Sequence, residues 1–188
     1  RDMNFTLLNI LKMYNTYMIT EDRGLMPHAF GPPGTGKTST VEQLAKMMGV
    51  NLHVINVARL SPLEVGGIQM PINNNEDLKF LVATFWTQIK EGDIVLFDEF
   101  LRGFPEVYNA LLDIFTSRTV EGYKIPKSFW IAASNSIATY DSALEDRLLH
   151  LPVVDARASA KERKRIAQSI TTATGMSPTM IDAVTMKE

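Results

Sequence analysis

Apolar and polar positions along this chain follow two periods, and the changes between them mark out its elements. Residues 1–20 carry Phe5, Leu8, Leu11 and Met18 at roughly helical spacing, which predicts an amphipathic N-terminal helix packed on the rest of the fold. Glu21–Gly24 breaks it. Leu25–Phe30 is a short apolar run with Pro27 near its start, where a strand tolerates proline. Residues 31–40, GPPGTGKTST, are too glycine-rich to begin a helix and too polar for a buried strand. A good helix nevertheless follows at once and runs through Met48, with Gly49 as its C-cap. Val50–Ala58 is rich in β-branched residues and reads as a second strand. Ser61, Pro62 and Glu64 then form a helix start: a cap, a proline at the first helical position and the partner of a capping box.

Gly66–Asn75 reads as a glycine-, proline- and asparagine-rich break. In residues 76–93, Leu78, Leu81, Val82, Phe85 and Ile89 form an apolar stripe, which predicts a helix with acidic residues at its start. Ile94–Phe100 is nearly unbroken apolar up to two carboxylates, as in central strands of parallel sheets. Pro105–Arg118 reads as a helix with Val107, Leu111, Ile114 and Phe115 on one face. Lys127–Ser136 reads as a buried strand ending in small polar residues, Ser142–Leu149 as a short helix, and His150–Val154 as a last strand. From about Ala156 the pattern changes to two helices with no further strand. Strands alternating with helices predict an α/β domain around a parallel sheet, whose chemistry gathers at the carboxyl ends of the strands. Three polar clusters fall there: the glycine loop, Asp98–Glu99 and Ser134–Asn135.

The loop fits the pattern G-x-x-x-x-G-K-[ST] through Gly31, Pro32, Pro33, Gly34, Thr35, Gly36, Lys37 and Thr38, with Ser39 behind it, between a strand and a helix as the motif requires. Glycines let backbone N–H groups turn inward as a nest for phosphate oxygens, and the helix N-terminus adds partial positive charge. Lys37 neutralises the outer phosphates, and the Thr38 hydroxyl can ligate Mg²⁺. Asp98 stands where the same architecture holds the metal shell. Glu99 beside it can polarise the water that attacks the terminal phosphate, which points to hydrolysis.

Composition narrows the partners. With 19 basic and 21 acidic residues the net charge of the 188-residue chain is −2, so no global basic field favours nucleic acid or an anionic membrane. The absence of cysteine excludes disulfides and thiolate metal sites and fits a reducing, cytoplasmic setting. His28, His53 and His150 are scattered over strand-like stretches, which predicts packed or hydrogen-bonded imidazoles rather than a metal site. No apolar run reaches membrane-spanning length. A chain that opens on Arg1 is expected to be a piece of a longer protein.

In order, GPPGTGKT, IVLFDE, WIAASN and ALEDR resemble the motif set of AAA+ ATPases over roughly residues 20–155. DEFLRGFPEVYNALLDIFTSRTVEG and SALEDRLL are similar to the MoxR branch, which includes the CbbQ-type Rubisco activases. The resemblance implies a P-loop three-layer sandwich with a central parallel five-stranded sheet. It also implies ATP and Mg²⁺ as cofactors and a homo-oligomeric ring, usually a hexamer, that remodels a protein partner. By position, Asn135 matches sensor 1, and Arg147 matches the arginine finger that reaches a neighbouring subunit. From the residues alone, Asn135 also reads as a turn asparagine, and Arg147 as an ion-pair partner of Glu145 or Asp146. Arg102 and Arg118 read as either subunit-interface arginines or surface ion pairs.

Two features depart from the family pattern. Residues 157–188 hold only the start of an α-helical lid, with Arg157, Arg163 and Arg165 too early for a sensor 2 role. The Gly66–Asn75 break lacks the aromatic of protein-threading pore loops, leaving Ile68 and Met70 to contact a partner. The domain plan is therefore residues 1–20, 21–156 and 157–188. The expected function is Mg²⁺-dependent ATP hydrolysis coupled to remodelling of a protein. The alternatives are a DNA-processing NTPase of clamp-loader, helicase-loader or restriction type, disfavoured by a break without Lys or Arg, and a nucleotide-gated binding module.

Overall fold

The computed structural model describes residues 3–153, apart from Arg23 and residues 137–141. The expected lid, with Arg157, Arg163 and Arg165, lies outside the described residues. Five strands, β1 (Met26–Phe30), β2 (Leu52–Asn56), β5 (Ile94–Asp98), β8 (Phe129–Ser134) and β9 (Leu148–Pro152), form one sheet in the order β2-β5-β8-β1-β9. Every pairing in it is parallel, as the sequence predicts. β8 lies between β1 and β5, so three strand ends converge on one edge.

Alternation along the buried strands feeds two cores. Ile94 and Leu96 of β5 pack on one face with α1 (Leu7–Thr20) and α2 (Lys37–Met48). Val95 and Phe97 point to the other face, into Trp86, Phe100, Tyr108, Leu111 and Trp130. That second face is covered by α3 (Pro62–Gly66), α5 (Pro105–Ser117) and α6 (Ser142–Glu145). In α1 the Thr6 side chain caps the start, and Leu7, Ile10, Leu11, Tyr14 and Tyr17 are buried. Of the expected stripe, Phe5 and Leu11 are buried and Met18 packs partly buried against the same core, whereas Leu8 does not join it. The Ser61–Glu64 capping box is present with both of its hydrogen bonds. Gly49 closes α2 in the left-handed conformation.

The segment 66–93 corrects the sequence reading. In place of a break and a long helix it holds an antiparallel hairpin, β3 (Ile68–Ile72) and β4 (Asp77–Leu81), and one helical turn, α4 (Thr84–Thr87). Leu78 and Phe80 of DLKFL also fit a two-residue period, and that period wins because Asn73, Asn74 and Asn75 all take positive φ (50°, 57°, 72°) and turn the chain back on itself. Leu78 and Leu81 are 62% and 46% exposed, so no helical stripe exists there. Of the expected stripe, only Ile89 is fully buried. A smaller correction concerns Leu148 and Leu149, which belong to β9 and not to the preceding helix. A two-residue hairpin, β6 (Thr119–Val120) with β7 (Tyr123–Lys124), follows α5.

The histidines are hydrogen-bonded, as expected. His53 Nε2 lies 2.7 Å from Asp93 Oδ2. Burial pushes Asp93 up, but hydrogen bonds from His53 and from the Lys90 and Asn51 backbone outweigh it and hold the carboxyl below its ordinary value. Among the described residues no helix is long and apolar enough to cross a membrane.

Candidate active site

The loop after β1 turns on Gly34 and Gly36, whose φ values of 78° and 87° suit glycine alone. Gly36 precedes α2 and no side chain caps the helix there, so its first N–H groups face the cleft unclaimed by a cap. Thr35 braces the loop by donating to the Pro32 carbonyl at 2.8 Å. Thr40 and Ser39 donate back to the Gly36 carbonyl at 2.7 and 3.1 Å.

This loop forms one wall of a cleft of about 630 Å³. Pro33 through Ser39 line it from the loop and α2, Asp98 and Glu99 from the end of β5, and Ser134–Ser136 from the end of β8. The three sequence clusters therefore meet in space. Lys37 Nζ donates to the Gly31 and Pro32 carbonyls at 2.7 and 3.0 Å and to Asn135 Oδ1 at 3.3 Å. Burial lowers its pKa and the nearby Asp98 carboxylate opposes that shift. Asp98 Oδ1 accepts the Glu99 N–H at 2.9 Å. Glu99 itself sits at φ 47°, ψ 42°, a sparsely populated conformation for a non-glycine residue and one that recurs at functional sites.

The Thr38 hydroxyl and the Asp98 carboxylate are hard oxygen donors facing the same space. Mg²⁺ suits such a site, because it takes few protein ligands and completes its shell with phosphate oxygens and water. Among the described residues no cluster of three or more His, Cys, Asp or Glu could hold a metal alone, so the phosphates would have to complete any Mg²⁺ site here.

Arg102 also lines the cleft and pairs with Glu99 at 3.6 Å. The i,i+3 spacing after the acidic pair was the available sequence signal for it. Both side chains are largely exposed, so the pair itself adds little stability. Arg118, read from sequence as an interface or surface arginine, is buried. Its guanidinium lies 3.6 Å from the Trp130 ring centroid, and it donates to the Phe115 and Ser128 carbonyls.

Arg147 stands apart from the cleft. Its carbonyl accepts the N–H of Met26 at 2.8 Å, where β1 begins, whereas the phosphate loop follows the end of that strand. The five-residue strand separates the two by about 16 Å. Arg147 instead lines a hollow of about 600 Å³ with Met26, Leu149 and Trp130. Neither expected acidic partner holds it: Nη1 donates to the Ala143 carbonyl at 3.2 Å, and Glu145 pairs with His150.

Residues 28–155 match the family described as ATPase family associated with various cellular activities (AAA). The chain belongs to this family. The AAA family uses ATP and Mg²⁺, which agrees with the oxygen donors in the cleft. The chain is 30% identical over 135 residues to the ATPase family AAA domain-containing protein 3A homolog of Drosophila melanogaster, a match covering 67% of this chain and 20% of that protein. It is 28% identical over 131 residues to the Holliday junction branch migration complex subunit RuvB of Mycoplasma pneumoniae, covering 63% and 37%. Among solved structures, a RuvB variant from Thermotoga maritima matches with a TM-score of 0.58 at 18% identity, over 92% of this chain and 54% of that one; this likeness concerns the fold. The chain thus spans about a fifth of the length of the AAA-domain relative.

Proposed function

We propose that this AAA module hydrolyses ATP within a homo-oligomeric ring, a hexamer as in the branch it resembles, and uses the cycle to remodel a protein partner in the manner of MoxR-type ATPases. One observation carries the reading. Lys37, Thr38, Asp98, Glu99 and Asn135, from three strand ends, line a single cleft. Hydrolysis needs that set: a cradle for the triphosphate, oxygen donors for a metal, and a carboxylate beside the attacking water.

In this reading residues 31–36 and the N-terminus of α2 hold the phosphates, with Ser39 supporting the turn. Thr38 and Asp98 would hold Mg²⁺, which supplies neutralisation of phosphate charge. Glu99 takes a proton from the attacking water. Asn135, whose amide oxygen meets Lys37, orients that water against the terminal phosphate. Arg147 lies too far from its own cleft to serve it, which favours action on a neighbouring subunit's phosphate.

The β3–β4 hairpin supports a protein partner. Ile68, Met70, Ile72, Leu78, Phe80 and Leu81 are all exposed on it, and an exposed apolar cluster of this kind suits protein contact. Its strands carry one cation, Lys79, and one acid, Asp77, a poor match to a polyphosphate backbone. The second reading, a DNA-processing motor, is favoured by the likeness to RuvB. Assaying Mg²⁺-dependent phosphate release with and without duplex DNA, and recovering proteins held by the Glu99→Gln form, tests both. Turnover indifferent to DNA together with a retained protein is expected; DNA-stimulated turnover with no retained protein would favour the motor.

A further inference from the structure

Four polar side chains outside the hydrolytic set form a chain across the sheet beside the cleft. Glu145 Oε1, at the end of α6, lies 2.5 Å from His150 Nε2 of β9. His150 Nδ1 lies 2.7 Å from His28 Nδ1 of β1. His28 Nε2 lies 2.5 Å from Ser134 Oγ of β8, which in turn donates to the Ser136 carbonyl at 2.5 Å. His28 is fully buried and Ser134 nearly so, with the Phe30 and Phe100 rings packed around His28.

Counting protons orients the chain from His150 inward. A carbonyl only accepts, so the single hydroxyl proton of Ser134 goes to Ser136, and His28 Nε2 must donate to Ser134. Burial, aided by the neighbouring His150 and opposed by Glu145, lowers the His28 pKa to about 4, so near neutral pH this ring carries one proton and its Nδ1 accepts. His150 Nδ1 therefore donates. The remaining contact, His150 Nε2 with Glu145 Oε1, closes the chain at its outer end. Three bonds then point one way, from His150 through His28 and Ser134 to the Ser136 carbonyl, with Glu145 on the outer side of His150.

The two ends of this chain coincide with the two remote parts of the proposed mechanism. Asn135 lies between Ser134 and Ser136, and Arg147 follows Glu145 by two residues. We propose that His28 and His150 are positioning residues that hold the Arg147 turn in register with the Asn135 strand end, so that the nucleotide-facing side of a subunit and the arginine it offers its neighbour move as one unit. The inference rests on the roles given above to Asn135 and Arg147. Burying so many polar groups costs desolvation that an apolar cluster of the same shape avoids; directional coupling is what the polar chain adds.

The test joins spectroscopy to kinetics on the intact protein. Nitrogen-15 shifts of the histidine rings at pH 7 should show His28 neutral with its proton on Nε2, and a proton on His150 Nδ1. His150→Phe keeps the ring volume at a partly exposed site. It should retain ATP affinity while turnover falls by up to about 100-fold, as for a small misplacement of a catalytic group. In an Arg147→Ala background the same substitution should cost almost nothing more, because both act through one group. Glu145→Gln should retain turnover, since its amide can keep a hydrogen bond to His150 Nε2, whereas Glu145→Leu should not. A His28 proton on Nδ1, a His150 Nδ1 without a proton, or equal losses from His150→Phe with and without Arg147 would overturn the proposal. Wild-type turnover in Arg147→Ala would overturn it too, by removing the group to be positioned. That outcome is distinguishable, because the ring shifts would still report an intact chain.

Discussion

Lys37 Nζ lies 3.3 Å from Asn135 Oδ1, joining the phosphate loop after β1 to the end of the adjacent strand β8. In the proposed reading this neutral amide faces the outer phosphate of a cradled nucleotide. Asn135→Ala should therefore leave nucleotide affinity near that of the wild type and lower turnover about 100-fold, the cost of losing one preorganised polar group at a reacting centre. Steady-state phosphate release and a nucleotide titration on the same preparation separate the two effects.

Lys37 and Glu99 should fail in different ways. Lys37→Ala removes the compact charge that faces the phosphates, and nucleotide binding should weaken at least about tenfold. Glu99→Gln keeps the shape of the cleft but cannot take a proton from water, so binding should persist while turnover falls by roughly 10²–10⁴. Isothermal titration with ATP and single-turnover hydrolysis read the two quantities. Normal turnover in Glu99→Gln would remove Glu99 from the role of base.

His28 makes stability depend on pH. Its folded pKa of about 4 lies below the ordinary histidine value of about 6.5, so the unfolded chain binds the extra proton first. The stabilisation is fully present above pH 6.5 and is lost as pH falls toward 4, about 3 kcal/mol in all. Urea unfolding across that range should show the decline in the wild type and a flatter profile in His28→Gln. An equally steep profile in both would assign the decline to other groups.

The β3–β4 hairpin should tolerate polar substitution. Met70→Ser and Phe80→Ser alter side chains that are 44% and 39% exposed, so stability should change by less than about 0.5 kcal/mol each. Protein retained by the Glu99→Gln form should nevertheless be lost when both changes are added. Undiminished retention would exclude the hairpin as the contact surface.

How far the sequence could be read depended on how many periods a segment satisfied. Ile94–Asp98 and Phe129–Ser134 are apolar on both faces and fit only a buried strand, and the motif loop carries its own geometry in Gly34 and Gly36. The hairpin was hidden because Leu78 and Leu81 satisfy a helical stripe, and the deciding term is a turn of three asparagines whose positive φ values no hydrophobic pattern encodes. The convergence of Lys37, Asp98 and Asn135 was legible from their places at strand ends. Arg118 was not, since burial of a guanidinium against Trp130 depends on a tertiary cavity. The His28–His150 contact joins residues 122 apart in sequence and arises only because β1 and β9 pair in parallel.

The central claim, ATP hydrolysis completed by a neighbour's arginine, is tested most directly by mixing two inactive variants. Arg147→Ala should bind ATP and hydrolyse it about 10³-fold or more slowly, whereas Lys37→Ala should bind it at least about tenfold more weakly. In mixed oligomers some interfaces pair an intact phosphate loop with an intact Arg147, and phosphate release should reappear at those interfaces. Restored hydrolysis on mixing is the predicted result. No restoration, with mixed oligomers demonstrably formed, would contradict the account and leave Arg147 with no part in the neighbour's reaction.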